Sequence, residues 1–294
     1  YSTLKSLLAL KAVASVQACG GTTAYVDAEH AFDKVWAREQ GVDTDSMLLQ
    51  RPDTGEEAIG VMEVLIRSGT DLIIWDSIAA TQPAQYAEKK PGEDNQPGGQ
   101  ARMMSAGLRR LNTANKSSTI LAINQTRVNV GMTFGSKTTT PGGMAMPFYA
   151  SYRMNFIKAG RESEDYQFWT GEKMDTGKRQ TKQRIKCVMT KWKLTAPMQE
   201  VWFDYDMRLG DIDEVGFIIG WAIEQGYIIA GANGRYSIDE ITIHGKDKFF
   251  THMYQDTETI EWFRKQMMEG FSLASPGRQA EAPKSKAGGR KSKP

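Results

Sequence analysis

Side chains able to do chemistry fall at four places in the sequence. The apolar run Leu72–Trp75 ends in Asp76-Ser77. The run Thr22–Val26 passes into Asp27-Ala28-Glu29-His30. Thr119–Ile123 ends in two amides, Asn124 and Gln125. The chain itself opens Tyr1-Ser2-Thr3-Leu4-Lys5 and runs straight into a helical pattern. A carboxylate at the end of a buried strand can hold Mg²⁺ through water in a nucleotide site. Asp76-Ser77 equally suits a helix N-cap. Glu29 could position an attacking water, or be a solvated loop residue. Two carboxylates at neighbouring strand ends support each other more than either does alone. Ser2-Thr3 fits the hydroxyl end of G-x-x-x-x-G-K-[ST], whose glycine amides, lysine and hydroxyl cradle phosphates. In that register the glycines and lysine precede residue 1, and Tyr1 takes the lysine's place. Ser2-Thr3 also reads as a plain helix cap. Asn124 and Gln125 stand where open α/β sheets bind ligands. Residues 126–143 then form a long polar loop rich in Gly and Thr, and such loops are usually functional.

The elements that must carry these groups alternate. Residues 4–18 place Leu4, Leu7, Leu8, Val13 and Val16 at helical spacing, and Gly20-Gly21 closes that helix. Thr22–Val26 is a strand and Phe32–Gln40 a helix. Met47–Gln50 is a short strand, Glu56–Ser68 an amphipathic helix and Leu72–Trp75 a buried strand. Gln82–Gln100 is a polar, Pro/Gly-rich loop. Ala101–Ala114 is a helix with Met104, Leu108 and Leu111 inward. This alternation predicts a mostly parallel sheet covered on both faces. Phe148–Ile157, Arg184–Thr190 and Glu200–Tyr205 read as strands extending one edge of that sheet. Asp211–Gln225 reads as a helix, 227–243 as a hairpin-like region and Thr257–Glu269 as a last helix.

Bulk properties exclude several classes. The chain has 294 residues, 40% hydrophobic and 24% charged, a composition typical of globular proteins with a real core. Its net charge of +2 is unevenly spread. Residues 276–294 hold six basic residues and one acid, so +5 lies in the tail and −3 in the rest. Cys19 and Cys187 form no CxxC pair, which fits a reducing compartment and a cytoplasmic location. His30, His244 and His252 form no metal-ligand cluster. No apolar run reaches the ~18 residues of a membrane helix.

Eight blocks, in order from residue 2 to about 210, carry a resemblance. They are Ala24–Asp33 (AYVDAEHAFD), Arg51–Glu56 (RPDTGE), Asp76–Ala80 (DSIAA), Ala101–Ser105 (ARMMS), Ile123–Arg127 (INQTR), Thr138–Gly143 (TTTPGG), Phe148–Ser151 (FYAS) and Lys191–Pro197 (KWKLTAP). Together they resemble the RecA recombinase family of bacterial and phage type. The resemblance implies an α/β fold. A RecA-like P-loop ATPase core, with a central mostly parallel sheet flanked by helices, would span 1–208. A small α+β C-terminal domain (209–270) and a disordered basic tail (271–294) would follow.

The implied function is ATP-dependent pairing and strand exchange by a filament on single-stranded DNA, in recombination, repair of DNA damage and the SOS response. The cofactors would be ATP and Mg²⁺. The partners would be single- and double-stranded DNA and further copies of the chain, with no membrane. Ser2 would bind Mg²⁺ with Asp76, and Thr3 would touch phosphate. Glu29 would activate water. Asp33 and Trp36 would contact adenine. Gln125 would sense the γ-phosphate. Lys191 and Lys193 would reach the ATP of the adjacent subunit. Arg102, Arg127, Asn129, Gly131, Met132, Thr139, Thr140, Gly142 and Gly143 would grip the DNA backbone, with Val128, Val130, Met132 and Phe134 able to wedge between bases. Phe148 would lie at the subunit interface. The sequence departs from the family in three ways: a P-loop cut off at residue 1, a longer and more polar 158–183 segment, and a basic rather than acidic tail. The cut implies poor ATP binding and the downstream part of an interrupted or incompletely recorded gene. The competing readings are a RecA-fold ATPase of another class, such as a helicase, or a DNA-binding remnant without ATP turnover.

Overall fold

The computed structural model describes residues 4–87, 98–128, 138–169, 174–193 and 200–273. Along the chain run α1 (Lys5–Ala18), β1 (Thr23–Asp27), α2 (Lys34–Glu39), β2 (Leu48–Gln50), α3 (Gly55–Arg67), β3 (Leu72–Asp76), α4 (Ala84–Ala87), α5 (Gly99–Ala114), β4 (Thr119–Ala122), β5 (Arg127–Val128), β6 (Thr138–Thr139) and α6 (Ala145–Tyr149). There follow β7 (Tyr152–Trp169), β8 (Met174–Trp192), β9 (Glu200–Asp206), β10 (Asp211–Ile212), α7 (Glu214–Glu224), β11 (Ile229–Gly231), β12 (Arg235–Ile238), β13 (Ile241–His244), α8 (Lys246–Gln255) and α9 (Thr257–Leu273). The chain divides into two compact units, Tyr1–Phe156 and Ile157–Pro294.

The first unit is built on a parallel sheet of order β2-β1-β3-β4. β1 and β3 are buried along their whole length, as strands covered on both faces must be. Their side chains alternate between two cores, following the two-residue period of a strand. Tyr25, Leu72 and Ile74 pack with Leu10 and Val13 of α1. Ala24, Val26, Ile73 and Trp75 pack with Ile59 and Met62 of α3 and Met104 and Leu111 of α5. Asp33 caps α2 by accepting from the amides of Val35 (2.8 Å) and Trp36 (3.1 Å), and Thr54 caps α3 through the Glu57 amide (3.2 Å).

β7–β10 form a second sheet of order β10-β9-β8-β7, antiparallel along β8, β9 and β10. Arg184 and Asp204, direct cross-strand partners, make a two-pronged ion pair at 2.9 and 2.8 Å. β11, β12 and β13 form a three-stranded antiparallel sheet. Beside it α7, α8 and α9 close a core of Ile218, Phe249, Met253 and Phe263.

Several sequence expectations change. β7–β10 are a separate sheet rather than an extension of the parallel one. Phe148 begins no strand: it lies in α6, where Pro147 sits in the first turn and no amide is required of it. Asp211-Ile212 pairs with β9, and the helix starts only after Asp213, whose carboxylate accepts from the Gly216 amide (2.9 Å). The Gln82–Gln100 loop contains the helical turn α4 and the start of α5. α8 was not foreseen. No helix among the described residues is long and apolar enough to cross a membrane.

Candidate functional site

Register decides which groups meet. Asp27 of β1 pairs with Asp76 of β3, and Trp75 pairs with Ala122 of β4, so the three strands end at one level. Glu29, Ser77 and Gln125 each follow within three residues of those ends. They emerge on the carboxyl edge of the sheet, where open α/β folds bind ligands.

The turn after β1 is fixed by Asp27. Its carboxylate accepts from the amides of Ala31 (3.1 Å) and Phe32 (3.0 Å) and from Arg51 Nε (3.2 Å). Glu29 rides on this turn, and His30 beside it adopts a left-handed φ of 54°. Glu29 Oε1 accepts from Ser77 Oγ and from Gln125 Nε2 (3.4 Å). The Gln125 backbone amide donates to Asn124 Oδ1 (2.9 Å). Asn124 Nδ2 donates to the Pro141 carbonyl (3.0 Å). Both ends of the long loop are therefore tied at one residue pair. Its base is a short antiparallel ladder, Arg127 opposite Thr139 and Val128 opposite Thr138.

Asp76 is no helix cap, since a turn and not a helix follows it. The Asp76–Ser77 peptide bond is cis. Asp76 is buried, and its Oδ2 accepts from Tyr25 OH (2.7 Å) and from Ser6 Oγ (2.9 Å). Burial raises its carboxyl above the ordinary range, opposed by those two hydroxyls. Lys5 and Ser6 are the first two residues of α1. Burial lowers the Lys5 ammonium, against the pull of the Asp76 and Glu29 carboxylates. Leu4, just before them, has φ 59° and ψ 17°, the left-handed conformation that favours glycine.

The sequence therefore holds the end of a G-x-x-x-x-G-K-[ST] pattern in a different register from Ser2-Thr3. Lys5-Ser6 supplies the K-[ST] pair at a helix N-terminus, and Leu4 stands where the second glycine belongs. Ser2 and Thr3 lie outside the described residues; the hydroxyl that meets Asp76 is that of Ser6. The lysine-hydroxyl dipeptide ahead of an apolar helix was the available signal, obscured by the leucine in the glycine's place.

A cavity of about 100 Å³ brings Ser6, Glu29 and Asp76 together with Asp33 and Trp36. Asp33 spends Oδ1 on capping α2. Arg102, Arg127 and Thr139 are exposed, Thr140 and Gly143 half-buried and Gly142 buried. Asn129, Gly131 and Met132 lie outside the described residues, as do Val130 and Phe134. Phe148 is exposed on α6. Lys191, at the end of β8, and Lys193, just beyond it, belong to the second unit.

A model of the RecA N-terminal domain matches residues 1–210. Protein RecA of Nocardia farcinica is 36% identical over 275 residues, covering 92% of this chain and 75% of that protein. Protein RecA of Deinococcus radiodurans is 38% identical over 284 residues, covering 95% and 73%. This chain belongs to the RecA family. It is a RecA-type recombinase, and RecA proteins are DNA-dependent ATPases. Protein RecA of Saccharopolyspora erythraea, at 37% identity, again covers 92% of this chain.

Among the described residues no three His, Cys, Asp or Glu side chains gather to hold a metal. The Ser6 hydroxyl and Asp76 carboxylate suit Mg²⁺ all the same, because Mg²⁺ in nucleotide sites takes one or two side-chain oxygens and completes its shell with phosphate and water.

Proposed function

We propose that this chain hydrolyses ATP to drive homologous pairing and strand exchange as a filament on single-stranded DNA. One observation supports this best: at the strand ends of a RecA-family chain, Ser6 and Tyr25 bond to Asp76 while Ser77, the next residue, and Gln125 bond to Glu29. Lys5 and the first amides of α1 would hold the phosphates. Ser6 and Asp76 would hold Mg²⁺, which when bound supplies charge neutralisation at the phosphate oxygens. Ser2 and Thr3 give up these roles to Lys5 and Ser6. Glu29 would take the proton of the attacking water. Asp33, through Oδ2, and Trp36 would face the adenine. Gln125 would turn its amide to the γ-phosphate. Lys191 and Lys193 would approach the ATP of the adjacent subunit and offset developing charge in trans.

DNA would run along Arg102, Arg127, Asn129, Gly131, Met132, Thr139, Thr140, Gly142 and Gly143. Short hydroxyls, amides and cations bind phosphates without reading sequence, and pairing between strands then supplies recognition. Phe148 would pack on the neighbouring copy. In this reading 1–208 is the ATPase core, 209–270 a small domain, and 271–294 a basic tail that adds affinity for duplex. The protein would act in the cytoplasm.

Leu4 supports a second reading, a chain that binds DNA without turnover, because a side chain there crowds the approach of phosphate. The test is ATP hydrolysis by the full chain with and without single-stranded DNA. DNA-stimulated turnover that Lys5→Ala abolishes is the expected result. DNA binding with no turnover would establish the second reading, and turnover unaffected by Lys5→Ala would reject the cradle.

A further inference from the structure

We infer that Ser77 is a positioning residue for Glu29: its hydroxyl holds the carboxylate by one oxygen, so that Gln125 can leave that oxygen without releasing the side chain. The inference rests on the proposed role of Glu29 in activating water.

The two donors on Glu29 Oε1 differ in kind. Ser77 is fully buried. Its carbonyl accepts from the amides of Ala80 and Thr81, both at 3.2 Å, and from Thr81 Oγ1 at 2.9 Å. Thr81 Oγ1 in turn accepts from Trp75 Nε1 at 2.9 Å. The Ser77 hydroxyl therefore projects from a turn locked to the core, and a short buried side chain loses little freedom by holding a partner. Gln125 is exposed, and its contact with Glu29, at 3.4 Å, is at the outer limit of a hydrogen bond. Its long side chain loses more freedom by staying. Ser77 is thus the permanent hold and Gln125 the exchangeable one. Among the described residues Glu29 Oε2 takes part in no hydrogen bond, which leaves that oxygen to receive a proton from water.

This arrangement resolves a conflict in the site. A γ-phosphate sensor that was also the sole tether of the water-activating carboxylate would disorder that carboxylate on meeting the phosphate. With Ser77 in place, Gln125 moves and Glu29 stays.

The test uses the full chain with Mg²⁺, ATP and single-stranded DNA. Ser77→Ala is expected to lower kcat about tenfold or more, the loss of one hydrogen bond to a charged group. The KM for ATP should stay within about twofold, since the lost interaction bears on the chemical step. Ser77→Thr keeps a hydroxyl and should keep most of the rate. In a Glu29→Gln background Ser77→Ala should add no further loss. A crystal structure of ligand-free Ser77→Ala should show the Glu29 side chain off its wild-type rotamer. Should Ser77→Ala fold poorly, Ser77→Cys keeps the volume with a weak donor and reads out the same way. An unchanged kcat in Ser77→Ala, while Glu29→Gln lowers it to a small residual rate, overturns the inference alone. Full turnover by Glu29→Gln overturns the role of Glu29, and this inference with it.

Discussion

Both site carboxylates use one oxygen twice. Asp76 Oδ2 takes hydroxyls from Tyr25 and Ser6, and Glu29 Oε1 takes donors from Ser77 and Gln125. A neutral hydroxyl steadies a carboxylate without cancelling its charge, so the second oxygen keeps its attraction for a cation or a proton. Tyr25 is buried, with its ring against Phe32 at 4.8 Å. Tyr25→Phe keeps that packing and removes one donor from a buried acid. It is expected to cost about 1–3 kcal/mol of unfolding free energy, measured by urea titration. No change would mean that the hydroxyl contributes nothing to holding Asp76. That Glu29, Asp76 and Gln125 stand at neighbouring strand ends was legible in the sequence, because each lies at or just past the end of an apolar run. Tyr25 and Ser77 were not: a tyrosine inside a strand reads as packing, and a serine after an aspartate reads as a turn. Lys5-Ser6 was missed because the residue before it is leucine.

At the scale of elements, the site depends on β1, β3 and β4 ending level and on a loop tied at both ends. β1 and β3 were readable in outline because strands buried on both faces are uninterrupted apolar runs. β10 was not, since two residues carry no periodicity. α8 was not, because KDKFFTHMYQ is mostly polar and its buried residues are only Phe249 and Met253, one turn apart. The return of the loop is set by two glycines. Gly142 has φ 92° and Gly143 φ 66°, and a Cβ on Gly143 would stand 2.8 Å from the Ala101 Cβ on α5. Gly143→Ala is therefore expected to destabilise the first unit by about 1–2 kcal/mol, from the left-handed strain alone. It should also weaken single-stranded DNA binding, because the loop can no longer close against α5. Thermal melting and fluorescence anisotropy check the two effects; a variant with wild-type melting and DNA affinity would refute the tie.

At the scale of the molecule, the second unit carries its own electrostatic keystone. Asp213 accepts from Lys182 Nζ (2.8 Å), from Tyr254 OH and from the Gly216 amide, joining β8, α7 and α8. Burial works against its charge, but these donors outweigh it and hold the carboxyl below the usual aspartate range. Such a group stabilises the fold fully above its unfolded value of about 3.9, and the contribution is lost as pH falls through the lower folded value. Asp213→Asn is expected to cost on the order of 3 kcal/mol at neutral pH, by leaving Lys182 without its anion. It should also flatten the loss of stability below about pH 4. Denaturant melts across acid pH, followed by circular dichroism, check this, and parallel slopes for the two proteins would rule it out.

The first unit has a different dependence. α1 starts at a left-handed leucine, whose apolar side chain offers no cap, and has no acidic residue in its first turn. Phosphate oxygens are natural acceptors for such a helix end. On the proposed function, ATP is then a structural part as well as a fuel. Its binding adds RT ln(1 + [L]/Kd) to the stability of this unit. The energy charge of the cell would accordingly set how long the chain survives proteolysis, and a starved cell would clear it faster than a fed one.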